Sequence, residues 1–349
     1  MSTVAVIIPN YNYATYLPFC LSSVLTQTNV DVRVLVIDNC STDDSLDVLR
    51  QLAKRDPRIE LREHQENVGL IESLNEGLRW AIALDAEMTM TLSADDAVAP
   101  GALERAAAVF AAQPSVGLVY GKVVIFVDDE IPRPSKAKMR GLSVESGKEW
   151  IERVCAAGQN LLLDPEVVVR TKVYAEIGAY NPVLPHTSDM EMWLRCAARS
   201  DVAGIQGVPQ AYYRHHDKQL SKSFWEGGMG DLDRRRKAFE EFFRQDGGLL
   251  GDVEGLRGLA NGALSRDALR LARRAYDRNK IEAIRVDDLR VFAFECDPAA
   301  RHSLPALGLA VREFLGPKLS RPLRLFELPS LLRGIQTRLM RRWQHLRSR

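Results

Sequence analysis

Val4-Ala5-Val6-Ile7-Ile8 is an apolar run without one polar interruption. A strand with one wet face alternates polar and apolar residues, whereas an unbroken run suits a strand covered on both sides, as in a parallel sheet flanked by helices. Similar β-branched runs return at Val32–Ile37, Ile59–Leu61, Met88–Leu92 and Val116–Val127. Between them lie segments with helical spacing, such as Leu17, Leu21, Val24 and Leu25, then Leu46, Val48, Leu49 and Leu52. Strands alternating with helices imply βαβ units and right-handed crossovers. The expected fold class is therefore α/β, a mostly parallel mixed sheet with helices on its faces.

The remaining chain reads differently. Residues 128–146 hold Pro132, Pro134 and several basic residues, and are expected to form a loop over the sheet edge. From about 226 onward strand-like runs nearly vanish and Leu, Ala, Arg and Glu recur with helical periodicity, as over Ala263–Ala275. That predicts a domain over 1–225 and a helical C-terminal region over 226–349. The 349 residues suffice for a sizeable core without disulfides. Cys20, Cys40, Cys155, Cys196 and Cys296 are scattered, with no C-x-x-C spacing, and are expected to be reduced thiols of a cytoplasmic protein. No basic segment followed by an apolar one opens the chain, so no signal peptide is expected, and no apolar run approaches the length of a membrane span. A net charge of +1 offers no global field to gather nucleic acid.

In open parallel sheets ligands bind beyond the carboxyl ends of the strands. Three of those ends carry polar clusters: Pro9-Asn10-Tyr11-Asn12, Asp38-Asn39-Cys40-Ser41-Thr42-Asp43 and Ser93-Ala94-Asp95-Asp96. Asp95 and Asp96 have two readings. They could cap a helix opened by Pro100, or they could hold Mg²⁺ or Mn²⁺, which needs few protein carboxylates when a diphosphate completes its shell. Farther along, Leu332, Ile335, Leu339, Trp343 and Leu346 form one stripe in a segment, Leu331–Arg349, with six arginines and no acid. Such a helix either packs on the body of the protein or lies on an anionic membrane surface.

Five segments, in order, carry a resemblance: VAVIIPNYN at 4–12, VIDNCSTDDS at 36–45, Asn67-Val68-Gly69, Ser93-Ala94-Asp95-Asp96 and HTSDMEMWLRCA at 186–197. Over roughly residues 3–225 the chain resembles family 2 glycosyltransferases. The resemblance implies a Rossmann-like sheet of the A-type glycosyltransferase fold, a nucleotide-diphosphate sugar donor, a divalent metal and transfer with inversion. It implies a glycan or lipid-linked acceptor, in the assembly of a bacterial surface polysaccharide or glycolipid, in the cytoplasm or at the inner face of the membrane. Pro9, Tyr11, Asp38 and Asn39 fall at its nucleotide site. So do Asn67 and Gly69, while Asp95 and Arg214 fall near the diphosphate. Asp95, Asp96 and His216 fall at the metal site, and Asp189 at the general base.

These positions also have chemical readings of their own. Tyr11 can stack on a base, a contact worth about 1–3 kcal/mol, or pack as a core aromatic. Asp38 can accept from a base or ribose edge, or stabilise its own turn. Asp189 can take a proton from an attacking hydroxyl, or serve as the first-turn acid of the helix that follows. Asn39 and Ser93 stand where many relatives carry acids. Those departures leave open a nucleotide-sugar-binding protein without activity. A nucleotidyltransferase would carry a glycine-rich phosphate loop, and Pro9–Tyr16 contains no glycine.

Overall fold

A computed structural model describes residues 1–320 apart from 128, 129, 131, 133, 134, 136, 218, 220–227, 279, 280, 282 and 283. The boundary expected near 226 and the stripe expected over Leu331–Arg349 therefore lie outside the described residues.

The first half follows the strand–helix alternation: β1 (Thr3–Asn10), α1 (Leu17–Leu25), β2 (Asp31–Asp38), α2 (Ser45–Arg55), β3 (Ile59–Glu63), α3 (Leu70–Ala83) and β4 (Met88–Thr91). After these come β5 (Ala97–Val98), α4 (Ala102–Ala112), β6 (Val116–Val127), β7 (Gly141–Glu145) and α5 (Gly147–Ala157). A 3-10 turn, Asp164–Glu166, precedes β8 (Val168–Arg170), α6 (Thr171–Ile177), α7 (Ser188–Ala197) and β9 (Asp201–His215). Beyond β9 every described element is helical: α8 (Met229–Asp246), α9 (Val253–Asp277), α10 (Val286–Cys296) and α11 (Leu304–Ser320), with short 3-10 turns between.

The strands form one nine-stranded sheet in the order β3-β2-β1-β4-β8-β6-β9-β5, with β7 on β9. β1, β2, β3 and β4 are mutually parallel, as are β6 and β9, whereas β8, β5 and β7 join antiparallel. The strand period sorts β1 between two layers. Val4, Val6 and Ile8 belong to a cluster with Leu17, Leu21 and Val24 of α1, while Ile7 meets α3 on the opposite face. All of β1 from Val4 to Ile8 is buried, which accounts for its unbroken apolar run.

Two sequence expectations are corrected. Part of the loop expected over 128–146 is strand β7, paired with β9 from Gly141 opposite Gln206 to Glu145 opposite Val202. Leu142 and Val144 carry the alternation, but the Pro-rich basic stretch before them obscures it. Second, Pro100 does not open a helix, because α4 starts at Ala102 after Gly101 in a left-handed conformation (φ +71°). The two acids are separated from α4 by β5 and do not cap it.

Contacts divide the chain into two compact units. One comprises residues 1–154, 159–220 and 237–253, and contains the whole sheet; the other comprises 155–158, 221–236 and 254–349. Among the described residues no helix is long and apolar enough to cross a membrane.

Candidate active site

β5 is only two residues long, yet it decides the site. Ala97 pairs with Tyr212 and Val98 with Ala211, antiparallel, so the residues just before β5 meet those just after Tyr212. Asp95 and Asp96 thereby face Arg214 and His216 across more than a hundred residues of sequence. His216 Nε2 lies 3.0 Å from Asp95 Oδ2, and both side chains are buried. The Arg214 backbone N–H donates to Asp96 Oδ1 at 2.8 Å and its Nε donates to the Asp95 carbonyl at 2.9 Å. The Arg214 guanidinium is itself enclosed, 4.7 Å from the Tyr16 ring centroid and 4.5 Å from that of Phe126, a cation–π arrangement. Tyr16 also packs on the His216 ring, with centroids 4.8 Å apart.

Burial and then the neighbouring Asp95 charge push the Asp96 carboxyl well above the usual carboxylate range. Among the described residues no group of three or more His, Cys, Asp or Glu side chains is arranged to hold a metal unaided. The donor set nonetheless suits Mg²⁺ or Mn²⁺. A carboxylate and an imidazole already meet, beside a second buried acid, and these cations take the rest of their shell from phosphate and water.

The two ends nearer β1 are tightly bonded within the protein. Asp38 is fully buried: its Oδ1 accepts from Asn10 Nδ2 at 2.7 Å and from the Ser41 hydroxyl at 2.6 Å, and its Oδ2 from the Ser41 N–H at 2.9 Å. The Asn39 amide bridges to the segment after β3. Its Oδ1 accepts from the Val68 N–H at 2.9 Å, which fixes the orientation of the amide, and its Nδ2 donates to Asn67 Oδ1 at 2.8 Å. Asn67 Oδ1 also accepts from the N–H of Gly69, whose φ of +86° favours glycine. Pro9 sits in β1 opposite Ile37, and Tyr11, just past the strand, is 44% exposed, so its ring is available to a ligand.

Asp189 lies in the first turn of α7, after Thr187 at the N-cap. Asn160 Nδ2 donates to Asp189 Oδ2 at 2.7 Å, and the Leu162 N–H holds the other end of that amide at 3.2 Å. Burial raises the Asp189 carboxyl to about 6, against the opposing pull of the Met190 N–H and Asn160. Asp164, in the 3-10 turn, is raised to about 8 by burial and by the charge of Asp189, and its own charge acts on Asp96. Asp164 thus links the Asp95–Asp96 end electrostatically to the Asp189 end. Sequence reasoning missed Asn160, Asp164 and Tyr16, since none carries a motif signal. Tyr16 is set by the start of α1, Asn160 by its bond to Asp189, and Asp164 by a turn that packs against β4, β5, β6 and β9.

This arrangement, acids and aromatics gathered at the ends of parallel strands, accords with the comparisons. Residues 5–174 match the sequence profile of Glycosyl transferase family 2. Through those residues the chain belongs to that family of glycosyltransferases. An uncharacterized glycosyltransferase of Haemophilus influenzae is 26% identical over 231 residues, 63% of this chain and 68% of the relative. One from Nostoc sp. is 36% identical over 127 residues, but this chain spans only 38% of its length. Among solved structures, residues 1–349 of S. aureus TarS in complex with UDP-GlcNAc align with a TM-score of 0.55 at 15% identity, covering 86% of this chain and 92% of that one. The mannosyltransferase PcManGT of Pyrobaculum calidifontis, in complex with GDP-Man and Mn²⁺, aligns with a TM-score of 0.54 at 15% identity, covering 95% and 86%. At that identity the two structures establish the shared fold: an A-type glycosyltransferase sheet followed here by helices.

Proposed function

We propose that the protein transfers a sugar from a nucleotide-diphosphate donor to an acceptor hydroxyl with inversion. The observation that supports the reading is Asp189 itself, a partly buried carboxylate in the first turn of α7 whose charge acts on Asp164, which in turn acts on Asp96 beside the Asp95–His216 contact. Its raised basicity suits a general base near neutral pH. Asp189 takes the proton of the acceptor hydroxyl as that oxygen attacks the anomeric carbon. The bond to the diphosphate breaks on the opposite face, and the nucleoside diphosphate leaves.

Tyr11 offers its exposed ring to the base, while the Asp38–Asn10–Ser41 and Asn39–Asn67 networks shape the wall of the nucleotide site through Pro9 and Gly69. Asp95 and His216 would hold Mg²⁺ or Mn²⁺, with Asp96 beside them, and Arg214 braces both acids through its backbone and side chain. Such a cation would supply a Lewis acid to the leaving diphosphate. The acceptor is a glycan or a lipid-linked saccharide, and the role one of surface polysaccharide or glycolipid assembly in the cytoplasm. TarS and PcManGT with their bound donors support the nucleotide-sugar class.

Calorimetric titration with UDP, GDP, dTDP and CDP, each with and without Mn²⁺, tests the donor site. Metal-dependent binding of one of them is expected, and Asp189→Asn is expected to retain it while losing about 10²- to 10⁴-fold in turnover. If no nucleotide binds in either condition, the donor site is wrong. If the nucleotide binds and Asp189→Asn still turns over, the base lies elsewhere.

A further inference from the structure

Two backbone N–H groups fix the hydrogen-bonding sense of the amide side chains beyond β2 and β3. A backbone N–H can only donate, so the Asn39 atom 2.9 Å from the Val68 N–H is its carbonyl oxygen. By the same reasoning the Asn67 atom 3.0 Å from the Gly69 N–H is an oxygen. The two amides then fit head to tail, with Asn39 Nδ2 donating to Asn67 Oδ1 at 2.8 Å. Neither can turn over without setting an NH₂ group against an N–H.

His64 completes the arrangement. It follows β3 directly, its backbone N–H donates to the Asp38 carbonyl at 2.9 Å, and its Nδ1 lies 3.2 Å from Asn39 Oδ1. Because that oxygen only accepts, Nδ1 carries a proton and donates it. On the other side of the ring, Glu76 of α3 places Oε2 2.7 Å from His64 Nε2, and its Oε1 takes Arg62 Nη1 at 3.0 Å. Burial pushes the Glu76 carboxyl upward, but the bonds from His64 and Arg62 outweigh it and hold the group below its ordinary value. The ring is therefore braced by a carboxylate. Asn39 is itself buried, and both lone pairs of its oxygen are taken, one by Val68 and one by His64. One Nδ2 proton goes to Asn67, and the other has no partner among the described residues.

We propose that His64 is a positioning residue for nucleotide selectivity: by filling the second lone pair of Asn39 it makes that side chain a donor, and not an acceptor, toward the bound base. The matching base edge presents a lone pair, on a carbonyl oxygen or an unprotonated ring nitrogen. An edge with N–H at the same place meets a like donor. An aspartate at position 39 would have lone pairs left over and would accept from that second kind of edge. The inference rests on the reading of Asn39 as part of the nucleotide site, and adds the sense of its contact and the residue that sets it.

Uracil and cytosine exchange donor and acceptor at adjacent positions of one edge, as do guanine and adenine, so the affinity ratio within such a pair reports the contact. Calorimetry on the full chain, with UDP against CDP and GDP against ADP in the presence of Mn²⁺, measures it. His64→Phe keeps a ring in place without the donor, and is expected to reduce the wild-type discrimination by about tenfold or more. His64→Asn, whose amide restores a donor near the Nδ1 position, is expected to recover most of it, and Asn39→Asp to move the ratio against the wild-type preference. Equal losses for both members of a pair in His64→Phe would mark a merely structural role and overturn the proposal. So would a ratio unchanged in His64→Phe and Asn39→Asp, or a wild type that binds both members alike. Nitrogen NMR of the ¹⁵N-histidine-labelled wild type gives a check without ligand: a His64 Nδ1 that carries a lone pair at neutral pH would also overturn it. A wild type that binds no nucleotide at all would instead sink the donor-site reading, and this inference with it.

Discussion

Asp189 shows how a single residue acquires its chemistry from its surroundings. An exposed aspartate is a poor base at neutral pH because it holds a proton too weakly. Enclosure raises its carboxyl to about 6, while the Asn160 and Met190 N–H groups favour the charged form and keep it from rising further. The proposed base acts only when ionised, so kcat/KM should climb as pH rises through about 6. Removing the donor with Asn160→Ala withdraws support from the charged form and should move that acid limb to higher pH, with donor affinity little changed. A pH–rate profile that stays in place would mean that the Asn160 contact does not tune the base. Burial of acids with raised affinity for protons also bears on folding. Such groups favour the native state fully below their unfolded values near 4, and that contribution is lost as pH rises through the folded ones.

At the scale of elements, the strand–helix layer is held by close approach as much as by apolar area. Gly77 of α3 lies directly over β1, where an added Cβ would overlap Cγ2 of Ile7. Ile7 is fully buried and anchored within a strand paired on both sides, so it has little room to yield. Gly77→Ala should destabilise the fold by about 1–3 kcal/mol despite the better helix propensity of alanine. Urea unfolding reads this directly, and an unchanged or raised midpoint would show that α3 can lift away without cost. The acids of the candidate site depend on an element of similar delicacy. β5 contributes only two residues, but its register on β9 sets Asp95 against His216.

For the molecule as a whole, the core leaves little of its thiol chemistry open to solvent. Cys20, Cys155, Cys196 and Cys296 are buried, and only Cys40, in the turn after β2, is partly exposed. Ellman's reagent should therefore modify one thiol per native chain readily and the other four at least about a hundredfold more slowly, because those require an opening of the structure. Two or more fast thiols would show that part of the core opens freely. The same whole-chain view exposes a division that overall composition conceals, a net charge of +1 made of an acidic 1–253 and a basic 254–349.

Local pattern was enough for the elements whose reason is local. The unbroken apolar run of β1 requires cover on both faces, and the strands β2, β3, β4 and β6 and the helices beyond 228 follow from equally local periodicities. The ordered motifs, from Asn10 and Tyr11 to Asp189, likewise read from the chain because each lies where a strand or a helix begins or ends. β9 did not, since Gly204, Gly207 and Pro209 interrupt it with the marks of a turn and its pairing with β6 irons out the interruption through a bulge. Nor did Asn160 and Asp164, whose positions beside Asp189 depend on a turn with no periodicity of its own. The placement of charge on α11 is the same kind of fact. Arg312 turns inward to Asp277 and Glu313 meets Arg290, partners 35 and 23 positions away that no local pattern announces.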